Sequence, residues 1–427
     1  MIPRSLLATL LVASSSTAAP TQPSNWNKGF NFQTETVRGV NIGGWLVLEP
    51  FITPSIFEQF PSSWGIVDEY TLSKKLGAQK AHDTVLKPHW DNWVNQTDFD
   101  KISSYGFNLV RIPIGYWAYN SYGEPFASGA TDYMDSAIKW AANAKPKPLK
   151  VIVDLHGAPF SQNGFDNSGQ RIDSPGKPGW QGGDSVQQTL DVINTIASKY
   201  AVPEMQETVV GIELLNEPMS SDLDVGKIYD FYQKGFDTVR NYSDSTVVLQ
   251  DAFRNANNWN GFLTPSNNNA QHVAIDHHEY QVFNNWQVAL QPWEHRQHVC
   301  NDAHNYGGAD KWTFVGEWSA AMTDCAKWLN GFGKYSRFEG KFEDAPPVGT
   351  CGSINDVTAW NQTFKDDTRG YIEAQMEVYE QATRGWIFWN FKTESAPEWD
   401  MYKLVEHQVF PQPLSKRKFG AICSSVN

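Results

Sequence analysis

Two glutamates sit where acid–base and nucleophilic chemistry is easy to arrange. Glu217 lies in Leu214-Leu215-Asn216-Glu217-Pro218 and Glu317 in Val315-Gly316-Glu317-Trp318, each at the end of an apolar run. Two carboxyls brought face to face can divide a displacement at a C–O bond, one attacking carbon while the other protonates the leaving oxygen. Other apolar runs also end in reactive or polar groups. Glu49 follows the first, Arg111 lies on the second and His156 on the third, while Asp251 closes the fifth. His277-His278-Glu279-Tyr280 closes the sixth and Trp389-Asn390 the eighth. Each has a plainer reading alone: a helix cap, a structural ion pair, a satisfied core histidine. Their recurrence at the ends of successive runs is what points to one site.

The runs themselves are Val37–Ile42, Asn108–Ile114, Lys150–Leu155, Val209–Leu215, Thr246–Leu249, Val273–Asp276, Trp312–Val315 and Trp386–Trp389. Several are apolar at nearly every position, as parallel strands covered on both faces require. Helical patterns separate them, among them Tyr133–Ala144, Ser185–Tyr200, Asp224–Tyr242 and Asp367–Thr383. Eight β-then-α units predict an α/β fold, a single (β/α)₈ TIM barrel with elaborated loops over 37–427. An open doubly wound sheet usually brings a G-x-G-x-x-G turn after its first strand, and Arg38-Gly39-Val40-Asn41-Ile42-Gly43-Gly44 lacks it. In a barrel the strand ends share one rim, so the polar groups converge there.

Composition narrows the partners. The chain has 427 residues, 41% hydrophobic, with 34 Lys+Arg against 47 Asp+Glu and a net charge of −13. That excess of acid disfavours nucleic acid and anionic membrane surfaces. Aromatics reach 14%, including 18 Trp, more than core packing readily uses. At the N-terminus Arg4 precedes the apolar stretch Leu6–Val12, and small residues at Ser16 and Ala18 suit cleavage of a signal peptide spanning 1–18. No stretch is long enough to anchor the chain in a bilayer. Residues 19–36 read as a leader or loosely packed arm. A secreted, monomeric glycoprotein follows, with Asn95, Asn241 and Asn361 as sequons and Cys300, Cys325, Cys351 and Cys423 open to three pairings. No cofactor or metal is expected: His277 and His278 are strand neighbours, so only one points inward, whereas paired ligands need His-x-His.

Several segments resemble the fungal exo-β-1,3-glucanase branch of glycoside hydrolase family five. They are Arg-Gly-Val-Asn-Ile-Gly-Gly-Trp (38–45), Val-Leu-Glu-Pro-Phe (47–51), His-Gly-Ala-Pro (156–159) and Ser-Gln-Asn-Gly-Phe-Asp-Asn (161–167). Leu-Leu-Asn-Glu-Pro (214–218), Tyr-Gln-Val-Phe (280–283), Val-Gly-Glu-Trp-Ser (315–319), the stretch from Ala320 to Gly331 and Ala-Pro-Glu-Trp (396–399) follow in the same order. The resemblance implies retaining release of glucose from non-reducing ends of β-1,3-glucan in cell-wall metabolism, with some β-1,6 cleavage and transglycosylation. It implies that Glu217 is the acid/base and Glu317 the nucleophile, so that ionised Glu317 raises the pKa of Glu217. Arg111 and Tyr280 then hold Glu317, Asn216 bonds the sugar 2-hydroxyl, and His156 and His278 line the glucose pocket. Glu49, Asp166 and Asn167 grip the terminal hydroxyls, Trp389 lies under the glucose, and Phe165 and Phe283 clamp the leaving sugar. The implied disulfides are Cys300–Cys423 and Cys325–Cys351.

Three departures stand out. Phe160 takes the place of a small residue, Asn390-Phe391 replace Ser-Trp, and Glu279 stands where another His is usual. The first two are expected to reshape a pocket wall, which leaves room for a rutinosidase-like release of whole disaccharides from plant glycosides. A binding-only barrel would have lost one carboxylate. A Schiff-base lyase needs a strand-end lysine, and Lys392 lies past its strand.

Overall fold

Apolar runs rich in β-branched residues become strands, and their flanking helices bury one stripe each. The computed structural model describes residues 29–173 and 176–423. Its strands are β1 (Val37–Asn41), β2 (Leu109–Gly115), β3 (Lys150–Gly157), β4 (Val209–Glu213), β5 (Thr246–Gln250), β6 (Val273–Glu279), β7 (Trp312–Trp318) and β8 (Gly385–Phe388). They pair in chain order, all parallel, and β8 returns to β1 to close the barrel. Closure leaves no unpaired sheet edge.

The longer outer helices are α1 (Gln96–Ser104), α2 (Ala130–Asn143), α3 (Ser185–Tyr200), α4 (Val225–Arg240), α5 (Pro292–Asn301) and α6 (Gln362–Ala382). α2 shows the sequence logic: Met134, Ala137, Ile138 and Ala141 recur at helical spacing and all are buried. Its partners start cleanly because side chains satisfy the first N–H groups. Asn95 and Asp98 form a capping box on α1, and Asp224 accepts from Gly226 and Lys227 on α4. One expected unit is incomplete. Between β5 and β6 the only helical turn among the described residues is a 3₁₀ turn, Ala256–Trp259, whose buried Trp259 packs on Tyr229 and Tyr232 of α4.

Residues 1–18, read as a signal peptide, lie outside the described residues. The loosely packed arm expected over 19–36 is corrected where it is described. Phe30 and Phe32 are buried, packed edge-on at 4.9 Å, and Phe32 stacks on Trp312 and Phe314. With Val37, Leu109, Ile152, Val248, Ala274 and Ile387 they plug the barrel floor. Two apolar rings in a polar stretch were enough to dock it.

Both implied disulfides form. Cys300–Cys423 ties the C-terminal segment to α5, and Cys325–Cys351 staples the long loop after β7. No helix among the described residues is long and apolar enough to cross a membrane.

Candidate active site

Inward positions near the carboxyl ends of the strands are charged. Arg111 on β2 is completely buried and uses all five guanidinium N–H groups. Nε and Nη2 grip Glu213 at 2.7 and 2.9 Å, and Nη2 also donates to Asn216 Oδ1 at 2.9 Å. Nη1 donates to Asn41 Oδ1 at 3.1 Å and to Glu317 Oε1 at 2.9 Å. Asp154 and Asp276 complete its surroundings at 3.2 and 3.5 Å. A buried cation must be matched in this way, because unpaired burial of charge costs several kcal/mol.

Glu317, near the end of β7, receives two further groups on Oε2: the Tyr280 hydroxyl at 2.9 Å and His278 Nδ1 at 3.4 Å. His278 is also 2.9 Å from Glu217 Oε1, and its Nε2 is 3.3 Å from Asp276 Oδ2. Register slips between His277 and His278 where β6 meets β7, so His278 lies opposite Glu317. Such a bulge re-aims a side chain, and here it places the imidazole between the two glutamates. Oxygens of Glu217 and Glu317 and a nitrogen of His278 all lie within 4.8 Å of one another. Close approach depends on Gly316, since a Cβ there would lie 2.0 Å from Asp276 Oδ1, which accepts the Gly316 N–H at 2.8 Å.

Glu217 follows β4 with φ of +45°, an uncommon backbone for a non-glycine residue and one that recurs at functional sites. Asn167 and Asn163 donate to its Oε2 at 3.1 and 3.4 Å. The expected direction of its pKa is corrected. Burial raises it, but the hydrogen bond and charge of His278, then the charge of His156 and the bond from Asn167, more than offset this, leaving Glu217 below the usual range. Burial pushes Glu317 up to about 8, against the cations His278 and Arg111 and with the carboxylate of Glu217. His278 is held well above the ordinary imidazole value: burial opposes its charge, but Glu317 and Asp276 outweigh that. Spacing along a chain could not reveal this imidazolium between the acids. The three groups titrate as one unit.

His156 is driven the other way, by burial and then by Arg111, and stays neutral. Its Nδ1 pairs with Asp154 Oδ2 at 2.6 Å, which turns Nε2 toward Asn216 Nδ2 at 3.4 Å. The ring lies parallel to Trp389, with centroids 5.5 Å apart. Trp389 is set into the wall by Gly43, where a Cβ would lie 2.7 Å from the indole. Glu49 accepts the Gly44 N–H at 3.2 Å. Burial, then Asp166 and Glu317, raise it well above the carboxylate range. Asp166 is pushed to about 7, mainly by burial. Phe165, next to Asp166, is 45% exposed and Phe283 41%, on the loops after β3 and β6.

Sequence reasoning missed Asn41, Asp154, Glu213, Asp276 and Asn163, and also Phe253, 47% exposed and edge-on to Phe165 at 6.5 Å. The two-residue strand period could have found two of them, since Asp154 and Asp276 precede His156 and His278 by two. Asp251 and His277, counted among the rim residues, pair with each other on the outer side of β6. Phe391 is buried and packs on Tyr402, 6.2 Å between ring centroids. Lys392 pairs with Asp98 and stands over Trp93. Glu213, Asp276 and His278, or Glu217, His278 and Glu317, have spacing compatible with a cation. Arg111 and His278 already supply positive charge at both places.

The family described as cellulase (glycosyl hydrolase family 5) matches residues 75–336. A relative from Wickerhamomyces anomalus, "Glucan 1,3-beta-glucosidase 2", is 44% identical over 404 residues, covering 92% of each chain. One from Blumeria graminis, "Glucan 1,3-beta-glucosidase", is 43% identical over 431 residues, covering 100% of this chain and 98% of its own. The crystal structure of rutinosidase from Aspergillus niger superposes with a TM-score of 0.68 at 17% identity, covering 90% of this chain and all of that one, a likeness of fold. The barrel, the paired glutamates at its rim and this full-length similarity place the chain in glycoside hydrolase family 5.

Proposed function

We propose that this protein is a retaining exo-β-1,3-glucosidase that releases glucose from the non-reducing ends of β-1,3-glucan. The observation that carries the reading is the approach of Glu217 and Glu317 to within 4.8 Å, with His278 between them. Retaining glycosidases hold their carboxyls about 5–5.5 Å apart, whereas inverting ones leave room for a water. In the first step a Glu317 oxygen attacks the anomeric carbon as Glu217 delivers a proton to the departing glucan oxygen. The proton is drawn from the Glu217–His278–Glu317 unit. In the second, Glu217 takes a proton from water, which displaces Glu317 and frees glucose. A sugar hydroxyl in place of that water gives transglycosylation.

Arg111 and Tyr280 keep the Glu317 carboxylate oriented and stabilise its charge as it leaves. Asn216, fixed through Oδ1 by Arg111, has Nδ2 available for the 2-hydroxyl. Glu49, Asp166 and Asn167 bond the terminal hydroxyls, His156 and Trp389 form the wall and platform, and Phe165 and Phe283 flank the leaving sugar. Buried carboxyls at one end favour cleavage from chain ends. The names of the relatives at 43–44% identity agree with a β-1,3-glucan substrate. Secretion as a monomer fits the two disulfides, the signal-like N-terminus and three sequons whose residues Asn95, Asn241 and Asn361 are all exposed. Phe160, 41% exposed in the β3 loop, favours a second reading as a diglycosidase.

Early products separate the two. Incubation with β-1,3-gluco-oligosaccharides and with a disaccharide-bearing flavonoid glycoside is expected to give glucose alone from the former. An intact disaccharide from the latter, with no glucose from the oligosaccharides, would overturn the assignment.

A further inference from the structure

Most described tryptophans are buried or half-buried, but Trp286 and Trp293 are 53% and 55% exposed. Burying an indole stabilises a fold by a few kcal/mol, so two left in solvent on one short segment call for a use. Trp286 lies on the connection that leaves β6 through Phe283, and Trp293 is the second residue of α5 that follows it. Trp286 is not a loose side chain. Its ring lies nearly parallel to His298 on α5, with centroids 5.2 Å apart and planes 17° apart, and His298 is paired with Asp302. One face is therefore backed, and the other is presented to solvent.

The turn carrying it is also fixed. Gln287 Oε1 accepts the N–H groups of Phe283 and Asn284, both at 3.1 Å, and its Nε2 donates to the Tyr280 carbonyl at 3.3 Å. One buried amide thus ties Tyr280, Phe283 and Trp286 into a single rigid turn. Trp286 is three residue steps on from Phe283, a reach of at most about 11 Å. Phe283 is 41% exposed and packs edge-on to Tyr280, which bonds Glu317, so Trp286 lies one short step outward from the carboxylates.

We propose that Trp286, with Trp293 after it, forms a glucan-binding platform outside the catalytic cleft. It takes the apolar face of a β-glucan chain extending beyond the cleaved bond. This rests on the β-glucan reading above and adds a site that short substrates do not reach. A flat, backed indole suits a pyranose ring: the C–H face is desolvated on the aromatic face and the hydroxyls remain in water.

The test compares the full chain with its Trp286→Ala/Trp293→Ala double variant on two substrates, a β-1,3-linked disaccharide and a long soluble β-1,3-glucan. The expected result is unchanged kcat/KM on the disaccharide and a loss of roughly 3- to 10-fold on the polymer. Retention on insoluble β-1,3-glucan should fall in parallel. Trp286→Phe, which keeps an aromatic face, is expected to restore much of both. Equal losses on the two substrates, or no loss on the polymer, would overturn the platform while leaving the β-glucosidase assignment standing. An unmodified chain inactive on both substrates would instead overturn that assignment and the platform with it.

Discussion

The two ends of the barrel interior solve opposite problems with the same eight strands. At the floor, Phe30 and Phe32 close a dry apolar layer in which no group titrates. At the mouth, one inward layer higher, Arg111 sits among Asp154, Glu213, Asp276 and Glu317 with almost no solvent. Apolar burial at the floor stabilises by roughly 25 cal/mol per Å² removed from water. Burial at the mouth costs stability and is offset only by pairing. Burial drives Asp154 to about 7 and Glu213 to about 8 even beside the guanidinium. The floor makes the fold, and the mouth uses part of that stability to hold charges where water would otherwise solvate them.

Substitutions at the two ends should therefore separate activity from stability. The largest effect is expected from Glu317→Ala, a loss of about 10⁴-fold or more in glucan turnover with the fold intact. Added azide should restore part of the turnover as an α-glycosyl azide. Turnover within tenfold of the parent, measured by glucose release, would remove Glu317 from the nucleophile's role. Glu217→Ala should cost about 10²–10⁴-fold on glucan but far less on an aryl glucoside whose leaving group needs no proton. Similar losses on both would sink its acid role.

At the floor, Phe32→Ala should cost about 3–5 kcal/mol in denaturant unfolding while kcat and KM measured at low temperature stay put. A shift in KM would mean that floor and mouth are mechanically coupled. A fourth expectation concerns pH. Glu398, in the loop after β8, accepts from Thr323 Oγ1 and Met322 N, yet burial outweighs these bonds and raises it to about 8. Unfolded, it titrates near roughly 4.3, so between about 4.3 and 8 only the folded chain keeps the proton. Its contribution to stability is complete below the unfolded value and is lost as pH rises through the folded one. Asp154, Glu213 and Glu69, the last raised to about 7, act in the same sense. The melting temperature should therefore fall between about pH 4.5 and 8, and Glu398→Gln should flatten that fall. Melting curves that rise with pH would contradict it. The smallest effect is expected at the lip: Phe283→Ala should raise KM for oligosaccharides by about 2- to 10-fold and leave an aryl glucoside unaffected.

Much of this was legible in the chain. All eight apolar runs became strands, because parallel strands buried on both faces tolerate few polar residues. The reactive groups clustered because loops following parallel strands share one rim. Two errors have equally specific causes. The stretch around Phe30 and Phe32 reads as polar, and only docking reveals that its two rings are enough to plug the barrel. The unit after β5 reads like the others, but only one turn forms, and contacts distant in the chain seat its Trp259 on Tyr229 and Tyr232.

By itself, the sequence determined the strand order, the closure of the barrel and the types of the two central carboxyls. Those follow from periodicity and from side-chain identity. Which groups face which, and where protons reside, was decided by tertiary structure alone. A bulge at His278 and the glycine at 316 set contacts of a few ångströms between residues on β2, β4, β6 and β7. In a buried site, such distances outweigh intrinsic pKa values, because charges removed from bulk solvent are weakly screened.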